Sequence, residues 1–227
     1  MQVVILAGGL GTRLRPLTHT VPKPMVLIKG KPFLEYQLEM LKKNGFEDFI
    51  LCTGYLGEKI EEYFGNGKKI GIHIKYSKEN EPLGTGGALK KAENFLEDEF
   101  IVVYGDSFLD MDYNAAITYK NKSKKLGTTV VFRNNPKIVK SNIEISQTCE
   151  VLNYDKKNEG RSNYVEAGVH IFQKEVLSFV PENSVFSLEE ELLPILIKKR
   201  ELNAYITDKR FYDIGTFERL NIFHKVL

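Results

Sequence analysis

Two short clusters near the N-terminus combine glycines with cationic side chains, which suits polyphosphate binding. An apolar run at residues 3–6 predicts a buried strand, and it leads directly into Gly8-Gly9-Leu10-Gly11-Thr12-Arg13. Glycine lets a backbone bend tightly and present N–H groups to a ligand, and arginine adds forked donors for phosphate oxygens. A second cluster, Pro22-Lys23-Pro24, follows closely. Together they predict a phosphate pocket at the carboxyl end of the first strand.

Neither of two common phosphate loops fits the first cluster. The G-x-G-x-x-G pattern, begun at Gly9, requires a third glycine where Leu14 stands. The Walker loop requires Gly-Lys-Ser/Thr, which does not follow here. A glycine-rich turn without a ligand is the alternative interpretation, but turn chemistry does not account for Arg13 or for the cluster around Lys23.

Two aspartates are candidates for binding a metal ion beside such phosphates. Asp106 follows an apolar strand and a glycine, and ligands of open α/β sheets gather beyond the carboxyl ends of the strands. A carboxylate that faces phosphates needs a cation between them, and Mg²⁺ is the natural choice. Asp213, between apolar neighbours and a glycine, is the second candidate; a helix cap is its alternative role.

The elements that must position these residues alternate between strand and helix in the first half of the chain. The pattern predicts strands at residues 3–6, 49–53, 72–76 and 100–104, and helices at 32–44, 58–64 and 86–96. This rhythm implies a largely parallel, doubly wound sheet. We therefore expect an α/β fold: a single-domain, Rossmann-like three-layer α/β/α sandwich with a mostly parallel mixed sheet.

The rhythm changes after a helix predicted at residues 113–124. Strands are predicted at residues 128–132, 143–146, 150–154 and 164–172, without helices between them, so part of the sheet is expected to be antiparallel or mixed. A helix at 187–198 is predicted to begin at Ser187 with Glu190 completing a capping box. A strand at 202–206 and a final helix complete the chain.

Composition excludes several classes of function. The 227 residues carry 32 Lys and Arg against 30 Asp and Glu, which argues against a nucleic-acid partner held by a basic face. No apolar run approaches the ~20 residues of a membrane span, so we expect no membrane partner and a cytoplasmic protein. Cys52 and Cys149 lack metal-ligand spacing and are expected to be reduced core residues. The four histidines are scattered and are given no metal or catalytic role.

Five segments in order resemble the signature of the sugar-nucleotide nucleotidyltransferases, also called pyrophosphorylases. They are Leu-Ala-Gly-Gly-Leu-Gly-Thr-Arg-Leu at 6–14, Pro-Lys-Pro-Met at 22–25, Glu-Pro-Leu-Gly-Thr-Gly-Gly-Ala at 81–88, Gly-Asp at 105–106 and Tyr-Asp-Ile-Gly-Thr at 212–216. The resemblance implies Mg²⁺-dependent transfer of a nucleotidyl group from a nucleoside triphosphate (NTP) to a sugar 1-phosphate. It also implies one domain over residues 1–227, with a nucleotide-binding part at about 1–112 and a sugar-phosphate-binding part at about 113–227.

The resemblance also implies roles for individual residues. Arg13 would steady the leaving pyrophosphate, Lys23 would bridge phosphates at the reacting centre, and Asp106 and Asp213 would hold the metal. Arg15 contacts either phosphate or a surface carboxylate. The implied nucleotide-binding residues are Leu6, Ala7, Gly8, Gly9, Gly11, Thr12, Arg13, Lys23, Glu79 (or Glu81), Pro82, Leu83, Gly84, Thr85 and Gly87.

The acceptor side departs from the pattern of the family. Relatives often carry Glu-Lys-Pro and Asn-Ala-Gly where this chain has Asp155-Lys156-Lys157 and Glu166-Ala167-Gly168. The residues expected to bind the sugar phosphate are Gly105, Lys156 (or Lys157), Glu166 and Gly168.

The identity of the substrates is left open by these departures. Heptose 1-phosphate and mannose 1-phosphate guanylyltransferases look most similar, which favours GTP, while CTP, UTP and dTTP remain alternatives, as does an amino-sugar 1-phosphate. A non-catalytic nucleotide-sugar sensor or regulatory subunit is the rival from another class. The oligomeric state is not predicted.

Overall fold

The central sheet of the protein has helices packed against both of its faces. The computed structural model describes residues 1–135, 138–155 and 162–227. Its strands are β1 (Gln2–Leu6), β2 (Leu27–Ile28), β3 (Lys31–Pro32), β4 (Asp48–Thr53), β5 (His73–Lys78), β6 (Glu99–Tyr104), β7 (Ser107–Phe108), β8 (Gly127–Arg133), β9 (Ile143–Ile145), β10 (Val151–Tyr154), β11 (Tyr164–Gln173), β12 (Leu202–Thr207) and β13 (Tyr212–Asp213). Its α-helices are α1 (Phe33–Lys43), α2 (Gly57–Phe64), α3 (Gly84–Lys91), α4 (Tyr113–Ser123), α5 (Leu193–Lys198) and α6 (Phe217–Val226).

The first half of the sheet is parallel. In the described residues the strand order runs β10-β9-β11-β6-β1-β4-β5, with β8 on the far side of β11 and β12 beside β8. β1 pairs in parallel with both β4 and β6, and β4 pairs in parallel with β5. The carboxyl ends of these strands therefore open on one edge, where the chain after β1 and the chain after β6 meet.

Burial on both faces produces the three layers. Val3 and Ile5 belong to the apolar core that contains Leu34 and Leu38 of α1. Val4, between them in sequence, belongs to the opposite core with residues of α3 and α5. Because successive side chains of a strand point to opposite faces, an unbroken apolar run is required here. The predicted α/β sandwich is confirmed.

The second half of the sheet is mixed, as predicted. β11 runs antiparallel to β6 on one side and to β8 on the other. β12 then pairs in parallel with β8. Two smaller sheets lie outside this one, β2 with β3 and β13 with β7, and the sequence pattern did not predict either.

Helix ends follow local signals, with one correction. Gly45, the predicted cap, has a φ of 90° just beyond α1. Ser187 accepts a hydrogen bond from the Glu190 N–H at 3.0 Å, as predicted. However, Glu191 and not Glu190 reaches back to the Ser187 N–H, at 2.7 Å. The reason is that this helix begins with a wide π-type turn over Leu188–Leu192, which shifts the returning carboxylate by one residue.

Within the described ranges, no helix is long and apolar enough to cross a bilayer. Of the two cysteines, Cys52 is buried as expected, whereas Cys149 is only partly buried. Cys149 has a φ of 61° in the turn between β9 and β10, so it is not a core residue.

Candidate active site

The glycine-rich loop after β1 forms one wall of a cavity of about 490 Å³, called here the larger cavity. Gly11 has a φ of 61°, and its carbonyl accepts a hydrogen bond from the Thr18 hydroxyl at 2.8 Å. A Cβ at Gly8 would lie 2.6 Å from the Glu79 carboxylate. Contacts with Thr18 and Glu79 thus fix the position of the loop. The predicted residues that line the cavity are Leu6, Ala7, Gly8, Gly9, Gly11, Thr12, Arg13, Lys23, Glu79, Pro82, Gly84, Thr85, Gly105 and Asp106.

Glu79 lies between the two glycine-rich segments. The Leu83 N–H donates to Glu79 Oε2 at 3.2 Å, and burial raises the pKa of the Glu79 carboxyl. Glu81 is exposed, and it is not among the described residues that line the larger cavity. Of the two candidate glutamates, Glu79 is therefore the one that lines the larger cavity.

The second glycine cluster has a use that the sequence did not reveal. The N–H groups of Gly86 and Gly87 both donate to the Phe186 carbonyl, at 2.8 and 3.1 Å. A Cβ at Gly84 would lie 2.6 Å from the same carbonyl. Gly84 and Thr85 line the cavity, whereas Leu83 and Gly87 are not among its described lining residues. Leu83 and Gly87 instead hold the segment before α5 close to α3 through hydrogen bonds to Phe186.

Lys23 and Asp106 form a direct ion pair at the edge of the larger cavity. Both side chains are largely covered, with 13% and 31% of their surface exposed. Lys23 begins the third of three short 3₁₀ segments that follow the first loop, and Asp106 follows β6. The charges of the two side chains thus neutralise each other.

Asp213 lies next to Asp106 because two short strands pair. Asp213 of β13 is opposite Ser107 of β7, and the Ile214 N–H donates to the Asp106 carbonyl at 3.0 Å. The Arg219 guanidinium contacts both carboxylate oxygens of Asp213, at 3.1 and 2.9 Å.

The two carboxylates fit a magnesium ion. No group of three or more His, Cys, Asp and Glu side chains with metal-binding geometry occurs in the described ranges. Mg²⁺ does not need one, because it usually takes one or two carboxylates together with phosphate oxygens and water. Asp106 and Asp213 could therefore supply two hard oxygen donors to such an ion.

A second cavity of about 290 Å³, called here the smaller cavity, adjoins the larger one. Arg13, Tyr104, Asp106 and Glu189 line both cavities. The remaining residues of the smaller cavity are Ser107, Val139, Lys140, Asn142, Tyr154, Val165, Glu166, Gly168, Phe211, Asp213 and Arg219.

The predicted acceptor residues are only partly brought together. Glu166 and Gly168 line the smaller cavity. Gly168 has a φ of 78°, and a Cβ there would lie 2.7 Å from the Ser107 hydroxyl. Gly105 lines the larger cavity instead, because its backbone lies against the Leu6 carbonyl. Lys156 and Lys157 lie outside the described residues.

Comparison with known proteins now decides the family. The model of the nucleotidyl transferase family matches residues 2–225, nearly the whole chain. The chain belongs to the nucleotidyl transferase family. This match confirms the resemblance drawn from the five motifs and makes the protein a member of a family of sugar-1-phosphate nucleotidyltransferases.

Relatives within this family differ in their substrates. The chain is 36% identical over 228 residues to the D-glycero-alpha-D-manno-heptose 1-phosphate guanylyltransferase of Campylobacter jejuni, covering 96% of each chain. It is 34% identical over 234 residues to the UTP–glucose-1-phosphate uridylyltransferase of Synechocystis, covering 95% of this chain and 60% of that enzyme. The crystal structure of HddC from Yersinia pseudotuberculosis complexed with GMP-PN superposes with a TM-score of 0.84 at 30% identity, covering 99% of this chain and 98% of that one.

Several residues that line the two cavities were not predicted from the sequence. Tyr104 is the last residue of β6, directly before Gly105, so its position was available as a signal. Glu189 was read only as part of a helix start, and Arg219 only as part of the last helix. Asn142 and Tyr154 carry no local signal, because they reach the smaller cavity only through the pairing of β9, β10 and β11.

Proposed function

We propose that this protein transfers a nucleotidyl group from an NTP to a sugar 1-phosphate and releases pyrophosphate. The observation that carries the proposal is the wall between the two cavities, where Arg13 and Asp106 face both. Two phosphorylated substrates, one in each cavity, would bring their phosphates together at this wall. The chemistry of such a reaction consists of positioning and charge neutralisation.

In the proposed step, an oxygen of the sugar phosphate forms a bond to the α-phosphorus of the NTP. The bond between the α-phosphorus and the oxygen that bridges to the β-phosphate breaks, and pyrophosphate leaves with that electron pair. The attacking oxygen is already anionic, so no general base is needed. Arg13 would stabilise the departing pyrophosphate, and Lys23 would bridge the reacting phosphates after it leaves Asp106.

Asp106 and Asp213 would hold the divalent cation, for which we propose Mg²⁺. When bound, the cation supplies neutralisation of phosphate charge in the transition state. Lys23 and Arg219 would have to release these carboxylates, since each carboxylate is paired with one of the two side chains.

For the substrates, we propose GTP and a manno-configured sugar 1-phosphate, heptose first and mannose second. The heptose 1-phosphate guanylyltransferase of Campylobacter jejuni named above supports this choice. The half-buried Glu79 carboxylate is an acceptor suited to the ring N–H and amino group of guanine. UTP is the principal competitor, because one relative is a uridylyltransferase.

A substrate panel tests this proposal. GTP, UTP, CTP, dTTP and ATP are each supplied with heptose, mannose, glucose and N-acetylglucosamine 1-phosphates, and pyrophosphate release is measured. A site that pairs with a polar base edge strongly rejects a base that lacks it, so GTP should exceed ATP by a wide margin. If UTP or CTP is faster than GTP by tenfold or more, the guanine assignment is wrong. No release from any pair would support the rival role as a sensor.

The same panel applied to a Glu79→Gln variant sharpens the base assignment. We expect the preference for GTP over UTP to fall by about tenfold, because the carboxylate acceptor of two guanine donors is lost. Glu81→Gln is the matched control, since Glu81 is exposed and is expected to leave the preference unchanged.

A further inference from the structure

Glu189 lies at a position where one side chain reaches both cavities. It belongs to the wide first turn over Leu188–Leu192. Together with Arg13, Tyr104 and Asp106, it lines both cavities. No motif drew attention to it, and the reaction proposed above does not use it.

Hydroxyl groups hold the Glu189 carboxylate in place. The Thr85 hydroxyl donates to Oε2 at 2.7 Å, and the Ser187 hydroxyl donates to the same oxygen at 3.1 Å. Burial and the nearby carboxylates of Glu166 and Glu189 raise the pKa of the Tyr104 phenol. The two hydroxyl contacts fix the Glu189 carboxylate at the wall that both cavities share.

His170 lies beneath Tyr104. It is fully buried, and burial lowers the pKa of its imidazole to about 4, so the ring is neutral. Its Nε2 lies 3.2 Å from the Tyr104 hydroxyl oxygen and 3.4 Å from Glu166 Oε1. The ring therefore contacts both the Tyr104 phenol and a carboxylate of the smaller cavity.

We propose that Glu189 is a specificity-determining residue that accepts a hydrogen bond from a hydroxyl of the acceptor sugar, with Tyr104 as a positioning residue beside its carboxylate. This assignment rests on the proposed function, because it requires a sugar 1-phosphate in the smaller cavity. The ligand chemistry is that of a hydroxyl donor adjacent to an anionic phosphate.

Charge decides which substrate meets Glu189. A carboxylate repels phosphate oxygens, so the triphosphate chain is directed to the cationic side of the wall at Arg13 and Lys23. Glu79, the proposed partner of the base, lines the larger cavity and is not among the described residues that line the smaller one. A sugar in the smaller cavity presents several hydroxyl donors, and Glu166 and Asn142 line the same cavity. Glu189 therefore completes a polar pocket that reads the acceptor sugar.

The test separates the two substrates kinetically. Glu189→Gln is compared with Glu190→Gln, which makes the same change of charge at the next, exposed position. With GTP and mannose 1-phosphate varied in turn, we expect Glu189→Gln to raise the KM of the sugar phosphate by about 10- to 100-fold, since a hydrogen bond to a charged group is lost. The KM of GTP should stay within about twofold in both variants, a margin set by the size of a neutral surface change.

Tyr104→Phe tests the positioning role, because it removes only the hydroxyl. We expect a smaller rise in the same KM, of about 5-fold, consistent with the loss of one neutral hydrogen bond.

Monodeoxy analogues of mannose 1-phosphate identify the hydroxyl: one of them should bind wild type and Glu189→Gln equally. A rise in the KM of GTP alone would instead place Glu189 on the ribose, and unchanged kinetics in Glu189→Gln would leave it only a helix-start contact; either result overturns the proposal.

Direct binding distinguishes this proposal from the proposed function. Calorimetry of mannose 1-phosphate is carried out in the presence of a non-hydrolysable GTP analogue and does not require turnover. If wild type and Glu189→Gln bind equally well, the Glu189 assignment fails while the transferase function stands. If wild type binds none of the sugar phosphates in the panel, the proposed function fails and the Glu189 assignment fails with it.

Discussion

The larger and smaller cavities are built in opposite ways. The larger cavity is formed mainly by two contiguous segments, the loop after β1 and the start of α3, each of which carries its own glycines. The smaller cavity takes its residues from strands and loops spread between Arg13 and Arg219. A binding site made from contiguous segments can be predicted from a sequence motif, whereas a site assembled from distant elements has no such motif.

The shared wall tests whether the two cavities act as one site. We expect Asp106→Ala to reduce kcat by about a thousandfold or more, because the metal that neutralises phosphate charge is lost from both substrates. EDTA should abolish wild-type activity. Asp110→Ala, at an exposed position four residues later, is the control and should retain activity. Unimpaired turnover in Asp106→Ala would remove the metal from this wall.

The cationic side of the larger cavity should give the next largest effect. Lys23→Ala is expected to lower kcat by about a hundredfold while changing the KM of the triphosphate less, as for a charge aimed at the transition state. Lys29→Ala, on an exposed turn nearby, is the control. A pure KM effect would show that Lys23 binds only the ground state.

The two arginines of the first loop sharpen the same comparison. Both side chains are exposed. Arg13 lines both cavities, whereas Arg15 is not among the described lining residues of either. We expect kcat/KM to fall by about fiftyfold in Arg13→Ala and to change by less than about threefold in Arg15→Ala, judged by pyrophosphate release. Equal losses in the two variants would contradict this division of roles.

Beneath the smaller cavity, His170 should make stability depend on pH. Its pKa is about 4 in the folded protein and 6.5 as the ordinary value, so the unfolded chain takes up a proton first as pH falls. The contribution of His170 to stability is therefore complete above about pH 6.5 and decreases toward pH 4, by about 3 kcal/mol. His170→Phe should flatten this part of the urea-unfolding profile. A profile unchanged by the substitution would assign the pH dependence to other groups.

Backbone geometry in the smaller cavity should give the smallest effect. Gly168→Ala is expected to destabilise the fold by about 2 kcal/mol, because the φ is positive and the new methyl meets Ser107. Gly30→Ala is the matched control, since its φ is 82° but a Cβ there meets nothing within 4 Å. It should cost about 1 kcal/mol in urea unfolding. Equal costs would show that Ser107 moves aside.

The sequence was informative wherever function depends on neighbouring residues. The strand before Gly8, the cap at Ser187 and the change from parallel to mixed pairing were all predicted and are present in the structure. The wide turn at Leu188–Leu192 was missed, since π-type and α-type starts share the same cap residues. The placement of Cys149 was also missed, because a turn between two short strands carries little apolar pattern.

The sequence by itself determined the alternation of strands and helices, the glycine loop and the five motifs, because each depends on residues within a few positions of one another. Only the tertiary structure decided that Asp213 lies beside Asp106, that Glu79 rather than Glu81 faces the larger cavity, and that Glu189 is anchored by Thr85. These contacts join residues separated by many positions along the chain. They form because strands pair, and because sheets and helices bury their apolar faces, over the whole molecule. A local sequence pattern does not specify which distant residue a side chain will contact.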